Sequence, residues 1–153
     1  MTNTKTHRGS CICGQLQFEV DVDASKATMC NCTLCQKLGA RAINGKPEQL
    51  RILSDESTHG RYGNDYAARY FCKTCGTYCY GKGDIPEIGG PFMSVNINTL
   101  DDLDPSEATV MHWDGRHDDW HAGMRATPYP VFREGEPRAR IRAVDSRDPE
   151  TVA

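Results

Sequence analysis

The sequence lacks several features that define large classes of protein. No run of about 18 apolar residues occurs, which excludes a membrane-spanning helix. The first ten residues contain no apolar segment of the kind that a secretory signal carries, so we expect no cleaved signal. The sequence contains no Gly-rich phosphate loop, dinucleotide fingerprint or Gly-x-Ser-x-Gly elbow. We therefore expect a cytoplasmic protein without a membrane partner.

An excess of positive charge is also missing. The chain has 18 Lys and Arg against 21 Asp and Glu, which gives a net charge of −3. A surface that neutralises nucleic-acid phosphates needs the opposite balance, so a nucleic-acid partner is not expected. The sequence carries no pattern that indicates an oligomeric state.

Cysteine is unusually frequent for a protein with no secretory signal, with eight in 153 residues. This is below the roughly 8–10% that marks a disulfide scaffold, and a reducing compartment favours metal binding by clustered thiols. Their spacing supports this interpretation, because thiols one or two residues apart can converge on one ion. The cysteines fall in three groups, which are Cys11 and Cys13; Cys30, Cys32 and Cys35; and Cys72, Cys75 and Cys79.

Two of these groups form matching pairs. Cys13 and Cys75 each precede a glycine, which permits the backbone turn that directs amides at the sulfurs. We predict that both pairs together make a closed structural zinc site, with reduced free thiols or disulfides as the alternative. The ligands of this site would be Cys11, Cys13, Cys72 and Cys75.

The middle group contains three thiols, which is the number of protein ligands typical of catalytic zinc. Cys30, Cys32 and Cys35 would leave one position for water or substrate. The alternatives are that Cys79 or a histidine supplies a fourth ligand and closes the site. If Cys79 is not a ligand, we expect it to be a small buried residue on a strand. Three thiolates on Zn²⁺ leave a local charge of about −1, so a thiol substrate suits this metal better than an ester or peptide.

The hydrophobic pattern indicates a mainly β fold in one small domain. Apolar residues from Ile12 to Val22 alternate with polar ones, and turn signals recur along the chain. One short helical turn is predicted over 33–38, ending at Gly39. We place a flexible N-terminus over 1–7, the domain over 8–144 and a frayed tail over 145–153. Further strands are predicted over 40–44, 50–53, 66–71, 77–80, 92–97 and 109–113.

One histidine pair has metal-ligand spacing. His117 and His121 lie four residues apart, as in the metallopeptidase motif, but Asp118 stands where that motif needs glutamate. We therefore do not favour a zinc hydrolase.

The motifs together resemble the glutathione-dependent formaldehyde-activating enzyme family, which includes relatives of centromere protein V. The resemblance covers about residues 8–133. The matching segments are Gly9-Ser10-Cys11-Ile12-Cys13-Gly14, Cys30-Asn31-Cys32-Thr33-Leu34-Cys35, Phe71-Cys72-Lys73-Thr74-Cys75-Gly76-Thr77, Asn98-Thr99-Leu100-Asp101, and Trp120 with Pro130-Val131-Phe132.

This resemblance implies a zinc-stabilised, β-tent-like sheet fold with two zinc ions per chain. One zinc would be structural, and a catalytic, more labile one would be held by Cys30, Cys32 and Cys35. The family's named reaction joins glutathione and formaldehyde, so a carbon–sulfur lyase acting on a glutathione-like adduct is expected. Candidates for binding the glutathione carboxylates are Lys37, Arg41 and Arg69. The alternative is a non-catalytic zinc module that docks a protein or nucleic acid.

Overall fold

The computed structural model describes residues 3–138 of the chain. The predicted tail over 145–153 and the last residues of the predicted domain lie outside this range. Within it, no helix is both long and apolar enough to cross a membrane.

Ten strands provide most of the regular structure in the described residues. The strands are β1 (Lys5–Ser10), β2 (Gln17–Val22), β3 (Lys26–Cys30), β4 (Ala42–Gly45), β5 (Leu50–Ile52), β6 (His59–Gly63), β7 (Ala67–Cys72), β8 (Tyr78–Ile85), β9 (Gly90–Asn96) and β10 (Thr109–Trp113). One α-helix, α1 (Thr33–Leu38), and short 3₁₀ turns complete the fold. The predicted mainly β fold with short helical turns is confirmed.

The strands form two sheets. A three-stranded sheet has the order β1-β2-β5, and a seven-stranded sheet has the order β10-β3-β4-β9-β8-β7-β6. The strand pairs with assigned register are antiparallel, except that β10 and β3 are parallel. In this parallel pair, Trp113 lies opposite Cys30. This pairing places a tryptophan beside the first cysteine of the triplet.

The hydrophobic core lies between the two sheets. The alternating residues Phe18, Val20 and Val22 of β2 are buried, as their period-2 pattern predicts. Phe18 packs against Tyr80 of the larger sheet, with ring centroids 6.4 Å apart. Other core residues of the larger sheet are Ala27, Ile43, Met93 and Val95.

The opposite face of the seven-stranded sheet carries different side chains. Because side chains alternate along a strand, Ser94 of β9 points away from the core that buries Met93 and Val95. Asn44 of β4 pairs with Ser94 in register, and Arg69 of β7 pairs with Gly81 beside it. This second face forms one wall of the candidate site.

Some elements differ from the sequence expectation. Strand β1 begins at Lys5, so residues 5–7 pair with β2 rather than forming a flexible terminus. Ile12 is 87% exposed because it lies in the turn after β1, before the alternating strand begins. Strands β1 and β6 were not predicted, since charged residues, His and Gly interrupt their hydrophobic patterns. Strand β3 was not predicted because it is short and irregular where it enters the cysteine triplet.

The helix agrees closely with the prediction. Helix α1 covers Thr33–Leu38, and Gly39 ends it in the left-handed conformation with φ of 64°. Its N-cap is Cys32, whose sulfur accepts a hydrogen bond from the Cys35 amide. The N-cap and the first turn of the helix therefore hold two of the three clustered cysteines, Cys32 and Cys35, within hydrogen-bond distance of each other.

Candidate metal centres

The first cysteine cluster joins the turns of two hairpins. Its sulfurs, from Cys11, Cys13, Cys72 and Cys75, lie within 4.8 Å of one another. The Cys13 sulfur lies 3.5 Å from that of Cys11 and 3.6 Å from that of Cys72. Four sulfurs bound tetrahedrally at about 2.3 Å from a zinc ion are separated by roughly 3.8 Å. The cluster therefore fits a four-coordinate zinc.

Local backbone geometry produces this convergence. Gly14 and Gly76 have positive φ values of 80° and 77°, as the two Cys-Gly turns predict. The Leu16 amide donates to the Cys11 sulfur at 3.2 Å. Hydrogen bonds from the Thr77 side chain and backbone lower the pKa of Cys75 to about 5, which favours the thiolate that a metal requires.

The second cluster contains three cysteines. The sulfurs of Cys30, Cys32 and Cys35 also lie within 4.8 Å of one another. The Cys32 amide donates to the Cys30 sulfur and the Cys35 amide to the Cys32 sulfur, both at 3.4 Å. The end of β3 and the first turn of α1 thus bring the three thiols together, and their donor set fits zinc.

The alternatives that would close this cluster are not supported in the described residues. Cys79 belongs to neither cluster and is a buried core residue on β8, as the sequence predicts. No histidine joins the three thiols in the described part of the chain. Gly115 packs against the group so closely that an added Cβ would lie 2.4 Å from the Cys30 sulfur.

The eight cysteines are all free thiols in this structure, so the disulfide alternative is not supported. Within the triplet, hydrogen bonds from Cys30 and Cys32, together with the nearby Arg69 guanidinium, hold the pKa of Cys35 well below its usual value. The reciprocal hydrogen bonds to Cys32 and Cys35 raise the pKa of Cys30. The cluster therefore holds at least one thiolate readily.

Arg69 is a charged residue in direct contact with the triplet. It is only 8% exposed, and its Nη2 donates to the Cys35 sulfur at 3.5 Å. Its other hydrogen bond runs to the Ala68 carbonyl at 3.2 Å. Within residues 3–138 no carboxylate pairs with it. A buried cation is costly without a counter-charge, and the Cys35 thiol is placed to supply one.

The triplet and Arg69 line one cavity of 630 Å³. This volume is within the range of about 300–1,000 Å³ that is typical of small-molecule sites. The two other carboxylate-binding candidates, Lys37 and Arg41, do not line it, and Arg41 instead donates to Asn98 and the Pro105 carbonyl. Further lining side chains include Tyr66, Tyr78, Ser94, Trp113, Arg116 and Trp120.

The histidine pair does not form a metal site. His117 and His121 lie in separate 3₁₀ turns, because Asp118 between them adopts a left-handed conformation with φ of 56°. His117 instead forms ion pairs with Asp114 at 2.7 Å and Glu136 at 2.8 Å. The two imidazoles therefore do not share one helical face, as the metallopeptidase motif requires.

A buried polar network beside the triplet was not predicted from the sequence. Asn31, between two cysteines, donates to Asp114 at 2.7 Å and to the Pro130 carbonyl at 3.1 Å, and accepts from the Arg116 amide at 2.9 Å. Asn31 could have been identified from the sequence, because it lies inside the cysteine motif. No sequence signal pointed to Asp114, which is 83 residues away.

Comparison with known proteins gives consistent results. The glutathione-dependent formaldehyde-activating enzyme family model matches residues 6–116. A Schizosaccharomyces pombe protein described as an uncharacterized lyase is 28% identical over 103 residues, which are 61% of this chain and 72% of that protein. The crystal structure of a Rhodobacter sphaeroides protein matches with a TM-score of 0.58 and 26% identity, covering 65% of this chain and 93% of that chain. Because the family match spans most of the chain, this protein belongs to the glutathione-dependent formaldehyde-activating enzyme family.

Proposed function

We propose that this protein is a carbon–sulfur lyase-type enzyme that acts on the adduct of a glutathione-like thiol and a small aldehyde. In the forming direction the thiol sulfur bonds to the carbonyl carbon, the C=O double bond becomes a single bond, and the thiol proton moves to the oxygen. Cys30, Cys32 and Cys35 would hold a catalytic zinc, and Cys11, Cys13, Cys72 and Cys75 a structural one.

The observation that carries this proposal is the placement of the triplet and Arg69 on one cavity. Three thiolates around Zn²⁺ carry a net charge of about −1, which the Arg69 guanidinium balances locally. With zinc held by these three sulfurs, a thiolate would be favoured as a further ligand. Zinc held there would lower the pKa of that thiol and keep it nucleophilic at neutral pH.

The chain's own residues would orient the substrate and exclude water. The Arg69 guanidinium donates to the Cys35 sulfur, so it lies in the wall of the cavity next to the triplet. Arg116, which also lines the cavity, would supply positive charge for a carboxylate of a glutathione-like thiol. Held in one orientation, thiol and aldehyde would react at a much higher effective concentration.

The alternative of a non-catalytic docking module fits the site less well. A docking module would present a closed second metal site or a flat basic surface. The triplet here lies on a concave cavity with both apolar and charged side chains. We also propose a cytoplasmic location, where a reducing environment would keep the seven clustered cysteines free for metal.

Native mass spectrometry with and without glutathione tests the proposal, together with NMR detection of the adduct from glutathione and formaldehyde. We expect two zinc ions per chain, a glutathione-bound species, and faster adduct formation than in buffer. Albumin at equal thiol concentration is the control for uncatalysed addition. One zinc per chain, unaffected by glutathione, and no rate enhancement would overturn the proposal.

A further inference from the structure

The cavity extends beyond the metal triplet into an apolar part. This part is lined by Ile85, Ile88, Pro91 and Phe92, which come from the end of β8, the turn after it and the start of β9. Leu38, one helical turn after Cys35 in α1, lines the cavity as well. The proposed chemistry at the triplet does not use any of these side chains.

Strand register fixes the separation between the two parts. Arg69 pairs with Gly81, which pairs with Ser94, so these residues form one row across the sheet beside Cys35. Phe92 lies two residues from Ser94 on the same face of β9, about 7 Å along the strand. The apolar part is therefore within reach of a substituent on a group that reacts at the triplet.

Gly83 maintains this arrangement. It pairs with Phe92, and a Cβ at this position would lie 2.7 Å from the phenyl ring. Glycine therefore lets the Phe92 ring lie against the backbone of β8. Ile88 is 38% exposed, so it presents a large apolar side chain to solvent where it lines the cavity.

The two partners of the named family reaction carry no large apolar group that would fill this part. Glutathione is polar and charged, and formaldehyde adds a single hydroxymethyl group to it. Burying apolar surface requires an apolar ligand, because that is what the hydrophobic effect favours. We infer, on the basis of the proposed function, that the aldehyde taken by this protein bears an alkyl or aryl group that binds against Ile85, Ile88 and Phe92.

Inert substrate mimics test this inference through binding. S-methyl-, S-propyl- and S-hexylglutathione carry alkyl groups of increasing length at the sulfur. The chain has two tryptophans, Trp113 and Trp120, and both line the cavity, so quenching of their fluorescence reports its occupation. We expect Kd to fall about fourfold for each methylene group that enters the apolar part.

Two variants separate the apolar part from general surface effects. Ile88→Ser should reduce the preference for the hexyl over the methyl derivative by about tenfold or more. Leu53→Ser, at a residue 48% exposed and outside the cavity, should leave that preference unchanged. Thermal unfolding of both variants checks that the fold is retained.

The outcomes distinguish the inference from the function on which it rests. Equal affinity for all three derivatives would overturn the apolar subsite and leave the thiol function standing. Binding of none of them, nor of glutathione, would overturn both. An Ile88→Ser variant with unchanged alkyl preference would also contradict the assigned subsite.

Discussion

At the scale of single residues, Arg69 decides the charge of the candidate site. Its guanidinium is buried without a carboxylate partner in the described residues, and one of its hydrogen bonds reaches the Cys35 sulfur. The cost of burying a cation is offset when the neighbouring group is an anion. Arg69 therefore favours the deprotonated, metal-binding form of the triplet.

Replacing Arg69 with methionine tests this role. Arg69→Met removes the charge and keeps an unbranched side chain, so the affinity of the triplet for Zn²⁺ should fall about 10–100-fold. Competition with a chromophoric chelator measures this affinity. Arg69→Lys, which keeps the charge, should lose less. Arg61→Met, at a surface residue paired with Asp65, is the control. An equal loss of Zn²⁺ affinity in this control would contradict the proposed effect of the Arg69 charge.

The two clusters are also expected to differ in their effect on stability. Cys32→Ala should remove one zinc and the activity with a stability loss of about 1 kcal/mol, mainly from the lost helix cap. Cys72→Ala should unfold the protein, because a structural zinc contributes about 10 kcal/mol or more. Circular dichroism and metal analysis measure both effects.

Cys79→Ala is the matched control for these variants. Cys79 is buried but belongs to neither cluster, so this variant should keep both metals and lose about 1–2 kcal/mol of stability. Unfolding of Cys32→Ala as severe as that of Cys72→Ala would contradict the division into structural and catalytic sites.

At the scale of elements, the loop between β3 and α1 is held by the segment after β10. Asn31 contributes three hydrogen bonds to this contact, which fix the loop between two candidate ligands. Asn31→Ala should weaken Zn²⁺ binding at the triplet about 10–100-fold and leave the four-cysteine site intact. The surface variant Asn98→Ala is the control, and unchanged affinity in Asn31→Ala would refute a positioning role.

The same segment contains an ion-pair network that should respond to pH. Burial and the positive charge of the nearby Arg133 lower the pKa of His117. Hydrogen bonds to Asp114 and Glu136 raise it by more, so the pKa lies above its usual value of 6.5. The protonated histidine therefore stabilises the fold below that value, and this contribution is lost as the pH rises through the raised pKa.

Urea unfolding of the wild type and His117→Gln measures this effect. The stability advantage of the wild type should be larger at about pH 6 than at about pH 9. His121→Gln, at an exposed residue in the next 3₁₀ turn, should show no such difference. An advantage for the wild type that grows towards high pH would show that the sign is wrong.

At the scale of the whole molecule, the four-cysteine cluster connects the two sheets. Cys11 and Cys13 follow β1 of the small sheet, and Cys72 and Cys75 lie at the turn between β7 and β8 of the large one. Removing zinc with a strong chelator under reducing conditions should therefore abolish cooperative unfolding. Near-ultraviolet circular dichroism during a thermal scan measures this. A protein that has lost its zinc and still shows a cooperative melting transition would contradict this expectation.

The sequence by itself determined the features that depend on neighbouring residues. The two cysteine pairs and the triplet, the turns at Gly14 and Gly76, the end of α1 at Gly39 and the alternation in β2 all follow from local spacing and backbone preference. These are short-range effects, so the order of residues carries them directly.

Only the tertiary structure decided where the distant residues meet. The cavity combines side chains from β3, β4, β7, β8, β9 and β10, and its geometry depends on the register between strands that are far apart in the chain. Arg69 reaches Cys35, and Asp114 reaches Asn31, through such pairings. Register is set by the packing of whole sheet faces, which no single segment specifies.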